Sequence, residues 1–187
     1  MTALTIDKLT HIVFDELGQV GDDYKVFVES GTYLGETVIE LQPYFETLYT
    51  IELSEEYYQQ FAKIKENYEI DNIANRKGDT TDILPDILKL LEDKDQCIFW
   101  LDGHWSSGNT ARGEKDCPLI EECNSINKLY PSNKIVILID DYRLFGTNDN
   151  EDWSDITVDR VKECFSEFNI VKETIHDDVL AFYMEKK

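Results

Sequence analysis

The sequence predicts an α/β fold with a mostly parallel, doubly wound sheet. Short apolar runs rich in β-branched residues alternate with segments of helical periodicity along the chain, a pattern typical of such a sheet. The last two strand-like runs are separated only by a short turn at 176–178, which indicates a C-terminal antiparallel hairpin. With 187 residues and neither a repeat nor a linker, the chain is expected to form a single domain, 1–187.

Apolar spacing places each element in order. Ile6, Leu9, Ile12 and Leu17 recur at helical spacing and predict an N-terminal helix over 1–20. The predicted strands are 25–30, 47–53, 72–77, 96–102, 135–139, 169–175 and 179–184. The predicted helices between them are 34–43, one that begins after Ser54 as its N-cap, 81–92, 118–130 and 156–167. Polar loops are predicted over 103–116 and 142–155.

Composition narrows the class of protein. The formal net charge is −21, from 39 acidic and 18 basic residues, which disfavours binding to nucleic acid or to an anionic membrane. No apolar run approaches the ~20 residues that span a bilayer, and the N-terminus lacks the pattern of a signal peptide. A cytoplasmic location is therefore expected, with the four cysteines as reduced thiols.

Polar residues follow the predicted strands, where ligands bind in this kind of sheet. The first strand ends in VESGTYLGET, in which Gly31 and Gly35 let the backbone turn tightly and approach a nucleotide-like ligand. Their spacing is not that of the dinucleotide fingerprint GxGxxG. The alternative is that glycine is needed only for the corner between strand and helix.

Two further acidic residues are placed where they could accept hydrogen bonds from a nucleoside. Glu52 ends the second strand about 20 positions after the glycine turn, where a carboxylate accepts hydrogen bonds from ribose hydroxyls. Asp79 follows the third strand and can accept the amino group of an adenine. The alternatives are a solvated Glu52 and an Asp79 that caps the next helix.

Three aspartates follow neighbouring strands. Asp102 ends the fourth strand, and Asp140 and Asp141 end the fifth. Three unpaired carboxylates in one crevice are strongly destabilising, and a divalent cation such as Mg²⁺ removes that cost. The alternative is that Arg143 neutralises Asp140 or Asp141 in a structural ion pair.

These motifs together resemble class I S-adenosylmethionine-dependent methyltransferases. FVESGTYLGET is similar to their first motif although it has fewer glycines, Glu52 lies where their ribose-binding acid lies, and the final hairpin matches their sheet extension. The resemblance covers 24–186 and implies a Rossmann-like doubly wound sheet of seven strands, in the order 3-2-1-4-5-7-6. It implies that the residues which bind S-adenosylmethionine are Glu29, Ser30, Gly31, Thr32, Tyr33, Gly35, Glu52, Leu53, Asp79, Thr80 and Asp102.

Within that class, Asp102 followed by Asp140 and Asp141 is similar to metal-dependent O-methyltransferases of the catechol and macrolide-sugar types. LDGHWSSGNTARGEKDCPLIEE and LIDDYRLFG further resemble a bacterial and viral branch associated with glycan-modification genes. The resemblance implies Mg²⁺ held by the three aspartates and methyl transfer to a hydroxyl of a sugar or glycan. Asp102 or His104 would take the proton. The alternative for His104 is packing or gating.

The two polar loops supply candidate substrate-binding residues. Their basic residues suggest an anionic acceptor such as a nucleotide sugar, and their aromatic residues offer a sugar an apolar face. Local salt bridges, lids and homodimer contacts are the alternatives. The candidates are Trp105, Arg112, Lys115, Tyr142 and Arg143, with Phe145 as a further aromatic.

Three other functions remain open from the sequence. An NAD-dependent oxidoreductase accounts for Glu52 but not for the glycine spacing or the hairpin. A non-catalytic adenosyl-binding subunit needs the first motif but not the three aspartates together. A catechol-like O-methyltransferase acts on a small molecule instead of a glycan.

Overall fold

The computed structural model describes residues 3–19, 24–104, 113, 115–149 and 151–187. The strands of this part of the chain are β1 (Val26–Ser30), β2 (Thr47–Glu52), β3 (Ile73–Lys77), β4 (Cys97–Leu101), β5 (Lys134–Ile139), β6 (Phe168–His176) and β7 (Val179–Lys186). Its α-helices are α1 (Ile6–Thr10), α2 (Glu36–Leu41), α3 (Glu55–Asn67), α4 (Thr80–Leu88), α5 (Leu119–Leu129) and α6 (Val158–Cys164). Each strand lies within about two residues of its predicted position.

The strands form one seven-stranded sheet in the order β3-β2-β1-β4-β5-β7-β6. The first five strands are parallel to their neighbours, whereas β7 is antiparallel to both β5 and β6. The predicted sheet order and the C-terminal hairpin are therefore confirmed. Since β1 is adjacent to β4 and β4 to β5, the last residue of β1, Ser30, lies at the same edge of the sheet as Asp102 and Asp140, which directly follow β4 and β5.

Both faces of the sheet are buried, as the continuous apolar strands predict. Alternate residues of β1 show this: Val26 and Val28 face the layer of α4, α5 and α6, whereas Phe27 faces the layer of α1, α2 and α3. In β5 every residue from Ile135 to Ile139 is buried. The core thus consists of two apolar layers that hold the strand ends in fixed positions.

Several helices are shorter than the apolar pattern predicts. The N-terminal helix is α-helical only in α1 and continues as a π-helix over His11–Glu16. α2 ends at Leu41 because Pro43 follows within a single 3₁₀ turn, Gln42–Tyr44. α6 begins only at Val158, where the Thr157 hydroxyl accepts a hydrogen bond from the backbone N–H of Arg160 at 3.1 Å.

The described helices are too short and too polar to cross a bilayer. All four cysteines are buried and none forms a disulfide.

Candidate active site

A cavity of about 300 Å³ opens at the carboxyl ends of β1 to β4. It brings together seven of the eleven residues predicted to bind the cofactor: Gly31, Tyr33, Glu52, Leu53, Asp79, Thr80 and Asp102. Residues that the sequence analysis did not single out complete its wall, namely Ile51, Tyr57, Thr81, Gly103, Gly113, Pro118 and Glu121. His104 and Lys115 also line it.

The glycine turn after β1 is shaped by the packing of this chain. Gly31 has a φ of +86°, and a Cβ there would lie 2.5 Å from the backbone oxygen of Asp102. Gly35 has a φ of +77°, and a Cβ there would lie 2.3 Å from the Phe61 ring. Glycine is thus needed at both positions for the corner between strand and helix, as the alternative interpretation held. Gly31 also lies in the wall of the cavity.

Beneath this turn lies a buried polar network. The Thr50 hydroxyl donates a hydrogen bond to Glu29 at 2.6 Å, and the Thr32 and Thr50 hydroxyls are also 2.6 Å apart. Burial raises the pKa of Glu29 to about 8 despite the hydrogen bond from Thr50. Glu29 and Thr32 line a smaller recess next to the main cavity, whereas Ser30 accepts a hydrogen bond from the backbone of Asp102 at 3.2 Å.

Glu52 lies at the end of β2 with its carboxylate in the cavity wall. Each oxygen accepts a backbone hydrogen bond, from the N–H of Tyr33 at 2.7 Å and from that of Ser54 at 2.6 Å. Burial raises the pKa of Glu52, and these hydrogen bonds oppose the shift. Because each carboxylate oxygen has a second lone pair, Glu52 can still accept hydrogen bonds from a ligand.

Asp79 is the N-cap of α4, which was the alternative interpretation of this residue. Its Oδ1 accepts hydrogen bonds from the backbone N–H and the hydroxyl of Thr81, at 2.9 and 2.7 Å. Its Oδ2 faces the cavity, where a Cβ on Gly113 would lie 2.6 Å away. One oxygen therefore caps the helix, while the other lies next to Gly113 in the cavity wall.

Beside the cavity, Asp102, His104 and Asp141 form a buried cluster. Nε2 of His104 lies 2.9 Å from Oδ2 of Asp141, and Nδ1 lies 3.5 Å from Oδ1 of Asp102. One potential ligand atom from each residue lies within 4.8 Å of the others. The Trp153 ring packs edge-on against the imidazole, with ring centroids 5.0 Å apart, and so fixes its orientation.

This cluster differs by one residue from the predicted metal ligands Asp102, Asp140 and Asp141. Asp140 is buried, yet no ligand atom of it lies within 4.8 Å of all the others, and His104 takes its place. Both aspartates follow the end of β5, and Asp141 adopts a left-handed conformation with a φ of 56°. Its Oδ2 lies 2.9 Å from Nε2 of His104.

The charges in the cluster are unequal. Burial, together with the nearby carboxylates of Asp140 and Asp141, raises the pKa of Asp102 well above its ordinary value. Burial and the charge of Asp141 raise the pKa of Asp140 to about 6. Burial also acts on Asp141, but hydrogen bonds from His104 and Arg143 outweigh it and lower the pKa of that carboxyl. Of these three carboxyls, Asp141 is the one whose pKa is lowered.

The donor set of the cluster fits a divalent cation. Two carboxylates and an imidazole are common ligands of such ions. Oδ1 of Asp102 is buried and has no hydrogen-bond partner among the described residues, so a ligand there would satisfy an otherwise unpaired acceptor. The candidate metal ligands on these grounds are Asp102, His104 and Asp141.

The predicted substrate-binding residues differ in where they lie and in what they contact. Arg143 forms ion pairs with Asp141 and Asp178, which realises the ion-pair alternative for one of the two aspartates. Lys115 lines the cavity and forms an ion pair with Glu121. The Tyr142 ring packs against Phe145 with ring centroids 5.3 Å apart. Trp105 and Arg112 lie outside the described residues.

The sequence analysis missed Glu122, Glu151 and Trp153. Glu122 is fully buried in α5, its Oε1 has no hydrogen-bond partner among the described residues, and burial raises its pKa to about 7. It lies on the apolar stripe of α5 with Leu119 and Ile126, so helical spacing is a signal that marks it. Glu151, which lies 3.7 Å from Nε2 of His104, gives no such signal because it lies in a polar loop.

No protein-family model and no curated protein matches the sequence. Solved structures of class I methyltransferases share its fold. The O-methyltransferase TomG from Streptomyces achromogenes, in complex with SAM, has a TM-score of 0.63 and 17% identity over 99% of this chain and 82% of that chain. SMU.1697c from Streptococcus mutans, in complex with SAH, has a TM-score of 0.58 and 16% identity over 100% of both chains.

An rRNA methylase from Streptococcus thermophilus has a TM-score of 0.54 and 15% identity over 98% of this chain and 99% of that chain. At such identities the likeness establishes the architecture: this chain has the Rossmann-like methyltransferase fold.

Proposed function

We propose that this chain is an S-adenosylmethionine-dependent O-methyltransferase that acts, with the help of a divalent cation, on a hydroxyl of a sugar or glycan. The observation that carries the proposal is that one crevice holds both a cavity of about 300 Å³ and the Asp102–His104–Asp141 cluster. Asp102 and His104 belong to both. Cofactor and acceptor would therefore meet at the same residues.

The cavity suits an adenosyl cofactor. Glu52 presents carboxylate lone pairs for ribose hydroxyls, and Oδ2 of Asp79 faces the space where an adenine amino group would donate. Acidic walls also favour a positively charged sulfonium. S-adenosylmethionine, when bound, supplies the methyl group as an electrophile on that sulfonium, and two of the solved structures with this fold were obtained with SAM or SAH.

The transfer balances in a single displacement. The acceptor oxygen forms a bond to the methyl carbon as the carbon–sulfur bond breaks, the bonding pair stays on sulfur, and the hydroxyl proton passes to the protein. Asp102 and His104 are the candidate bases in the cavity wall. Carboxylates on both sides of the His104 ring stabilise the imidazolium that proton transfer would create.

A divalent cation, Mg²⁺ in this proposal, would be held by Asp102, Asp141 and His104. When bound, it polarises an acceptor hydroxyl and thereby makes its oxygen a better nucleophile. Hydrogen bonds from His104 and Arg143 lower the pKa of Asp141, which favours this carboxylate as a metal ligand. A His104 nitrogen that binds the cation cannot also take up a proton, so in that case the candidate base is the oxygen of Asp102 that does not bind the cation.

A neutral sugar fits this site better than an anionic acceptor. Lys115 and Arg143 are already in ion pairs with carboxylates, so a diphosphate would have to compete with Glu121, Asp141 and Asp178. Support for a sugar comes from the resemblance of 101–122 and 138–146 to a glycan-associated branch.

Calorimetric titration of S-adenosylhomocysteine, with Mg²⁺ and then with a chelator, tests the cofactor site. We expect micromolar binding in both buffers because the cation serves the acceptor. Label transfer from S-adenosylmethionine to a panel of sugars and small catechols then tests the reaction, with transfer to a sugar expected only when Mg²⁺ is present. Binding without transfer to any acceptor would favour a non-catalytic adenosyl-binding subunit, and absence of binding would overturn the proposal.

A further inference from the structure

A second group of potential metal ligands lies away from the candidate active site. His11 and Glu16 come from the π-helical segment that follows α1, and His176 ends β6. These residues do not line the cavity described above. Their candidate ligand atoms lie within 4.8 Å of one another although about 160 residues separate His176 from Glu16.

Two imidazoles converge on one carboxylate oxygen. Nε2 of His11 and Nδ1 of His176 each lie 3.1 Å from Oε1 of Glu16. Ligand atoms of a tetrahedral zinc ion, with bonds of about 2.0–2.1 Å, lie about 3.3 Å apart. The two measured distances are thus close to the separation that a shared ion requires.

We propose that His11, Glu16 and His176 bind a transition-metal cation of the zinc class. Imidazole nitrogen and carboxylate oxygen are both ordinary zinc ligands, and two histidines make Mg²⁺ a poor match. Three protein ligands leave the remaining coordination position to water.

The π-helix supports the site independently. His11 and Glu16 are five residues apart, a spacing that places side chains on different faces of an α-helix but on one face of a π-helix, whose hydrogen bonds join residues five apart. The backbone N–H of Leu17 donates to the oxygen of Ile12 at 2.9 Å in this segment. The rare helical form therefore creates the juxtaposition of the two ligands.

The surroundings of each ligand also match those of a metal site. The other ring nitrogen of His11 lies 3.3 Å from Oδ2 of Asp15, and that of His176 lies 3.3 Å from Oδ2 of Asp177. Carboxylates at this position orient metal-binding imidazoles and increase their basicity. The Thr174 hydroxyl donates to Oε2 of Glu16, and with the two imidazoles it lowers the pKa of that carboxyl.

A metal at this site would clamp the N-terminal helix to the C-terminal hairpin. Beyond the cluster, the described contacts from this helix to the tip of the hairpin include Nζ of Lys8, which donates to the backbone oxygen of Asp177 at 2.9 Å. A bound ion would add ligand bonds to that contact and stabilise the folded chain.

The test is calorimetric titration of Zn²⁺ into the chelator-treated full chain, compared with the His11→Gln/His176→Gln double variant. We expect the variant to bind one equivalent fewer than the parent, because Asp102, His104 and Asp141 remain available in both. The matched control is Asp7→Asn, which removes an exposed charge from the same helix and should leave the stoichiometry unchanged. Mg²⁺ should not bind to the three residues.

Circular dichroism establishes that each variant is folded. If the double variant is unfolded, the single variant His11→Gln is used instead, because His11 is at a partly exposed helical position. It should reduce the affinity for the Zn²⁺ ion assigned to this site at least tenfold. Equal stoichiometry and affinity in parent and variants would overturn the proposal, as would a parent that binds no Zn²⁺. An increase in melting temperature with Zn²⁺ in the parent but not in the double variant would support the clamp.

Discussion

At the scale of single residues, Asp141 is the aspartate of the candidate active site whose pKa is lowered. Its backbone is left-handed, and its carboxylate contacts His104 and Arg143. Asp102, whose Oδ1 lies 3.5 Å from Nδ1 of His104, instead has a pKa that is raised by burial and by its acidic neighbours. Two aspartates that look equivalent in sequence thus have different protonation behaviour.

We expect Glu52→Ala to weaken the binding of S-adenosylhomocysteine by roughly 1–3 kcal/mol, because ribose hydroxyls would lose their acceptor. Calorimetric titration measures the change. Glu56→Gln is the matched control, since Glu56 is exposed on α3 and does not line the cavity. Equal affinity of the Glu52 variant and the parent would show that the ribose does not bind there.

We expect Asp102→Asn to slow methyl transfer by about 10²–10⁴-fold, the usual contribution of a general base, while S-adenosylhomocysteine still binds within a few-fold of the parent. Single-turnover label transfer and calorimetry give the two quantities separately. Asp155→Asn, an exposed acid in the loop before α6, should leave both unchanged. A variant that retained full turnover would remove Asp102 from the chemistry.

At the scale of elements, the strands fix where the residues of the candidate active site lie, and the turns between strands and helices limit which residue types the chain can have there. The turn from β1 into α2 is the clearest case, because Gly35 meets both a left-handed backbone and the Phe61 ring. Gly146 has almost the same φ, +76° against +77°, but no atom of the described residues lies within 4 Å of a Cβ placed there. Substitutions at Gly146 and Gly35 therefore distinguish the free-energy cost of a left-handed backbone alone from the added cost of a side chain that clashes with Phe61.

We expect Gly146→Ala to reduce the free energy of unfolding by about 1 kcal/mol, the cost of a left-handed L-residue. Gly35→Ala should cost about 1–3 kcal/mol more because of overpacking against Phe61. Urea unfolding measures both. If the two variants were equally stable, the contact with Phe61 would not constrain this corner.

At the scale of the whole molecule, buried acids make stability depend on pH. The pKa values of Asp140, Glu122 and Glu29 are raised to about 6, 7 and 8. Between the ordinary and the raised value the folded state holds more protons than the unfolded state, so stability decreases as the pH rises. The stabilisation is complete only below the ordinary carboxyl pKa of about 4, and it is lost progressively until the pH reaches the raised values of about 6 to 8.

We therefore expect the melting temperature, measured with a chelator present, to decrease from pH 5.5 to pH 8.5. Glu122→Gln should make this decrease smaller, because the amide cannot ionise. Glu163→Gln removes an exposed charge from the same highly acidic chain and should leave the slope unchanged. A melting temperature that rises over this range would contradict the assignment of these buried acids.

Much of the architecture could be predicted from local pattern. Runs such as Ile135–Ile139 signal strands buried on both faces, and strands at one edge must bring Glu52, Asp79 and Asp102 to one crevice. Side-chain direction could not be predicted, since the conformation of Asp141 depends on tertiary contacts with His104, Arg143 and Asp178. The homodimer considered from the loop aromatics stays a prediction.

The position of β7 has a consequence for synthesis. This strand is inserted between β5 and β6, so β5 has no partner on that side until the ribosome has made some 40 further residues. During that interval a strand with five consecutive apolar residues, Ile135–Ile139, presents an open edge, which is a template for pairing with other chains. Newly made chains should thus be most prone to aggregation just before Val179–Lys186 emerges, and the candidate active site beside β5 would be completed last.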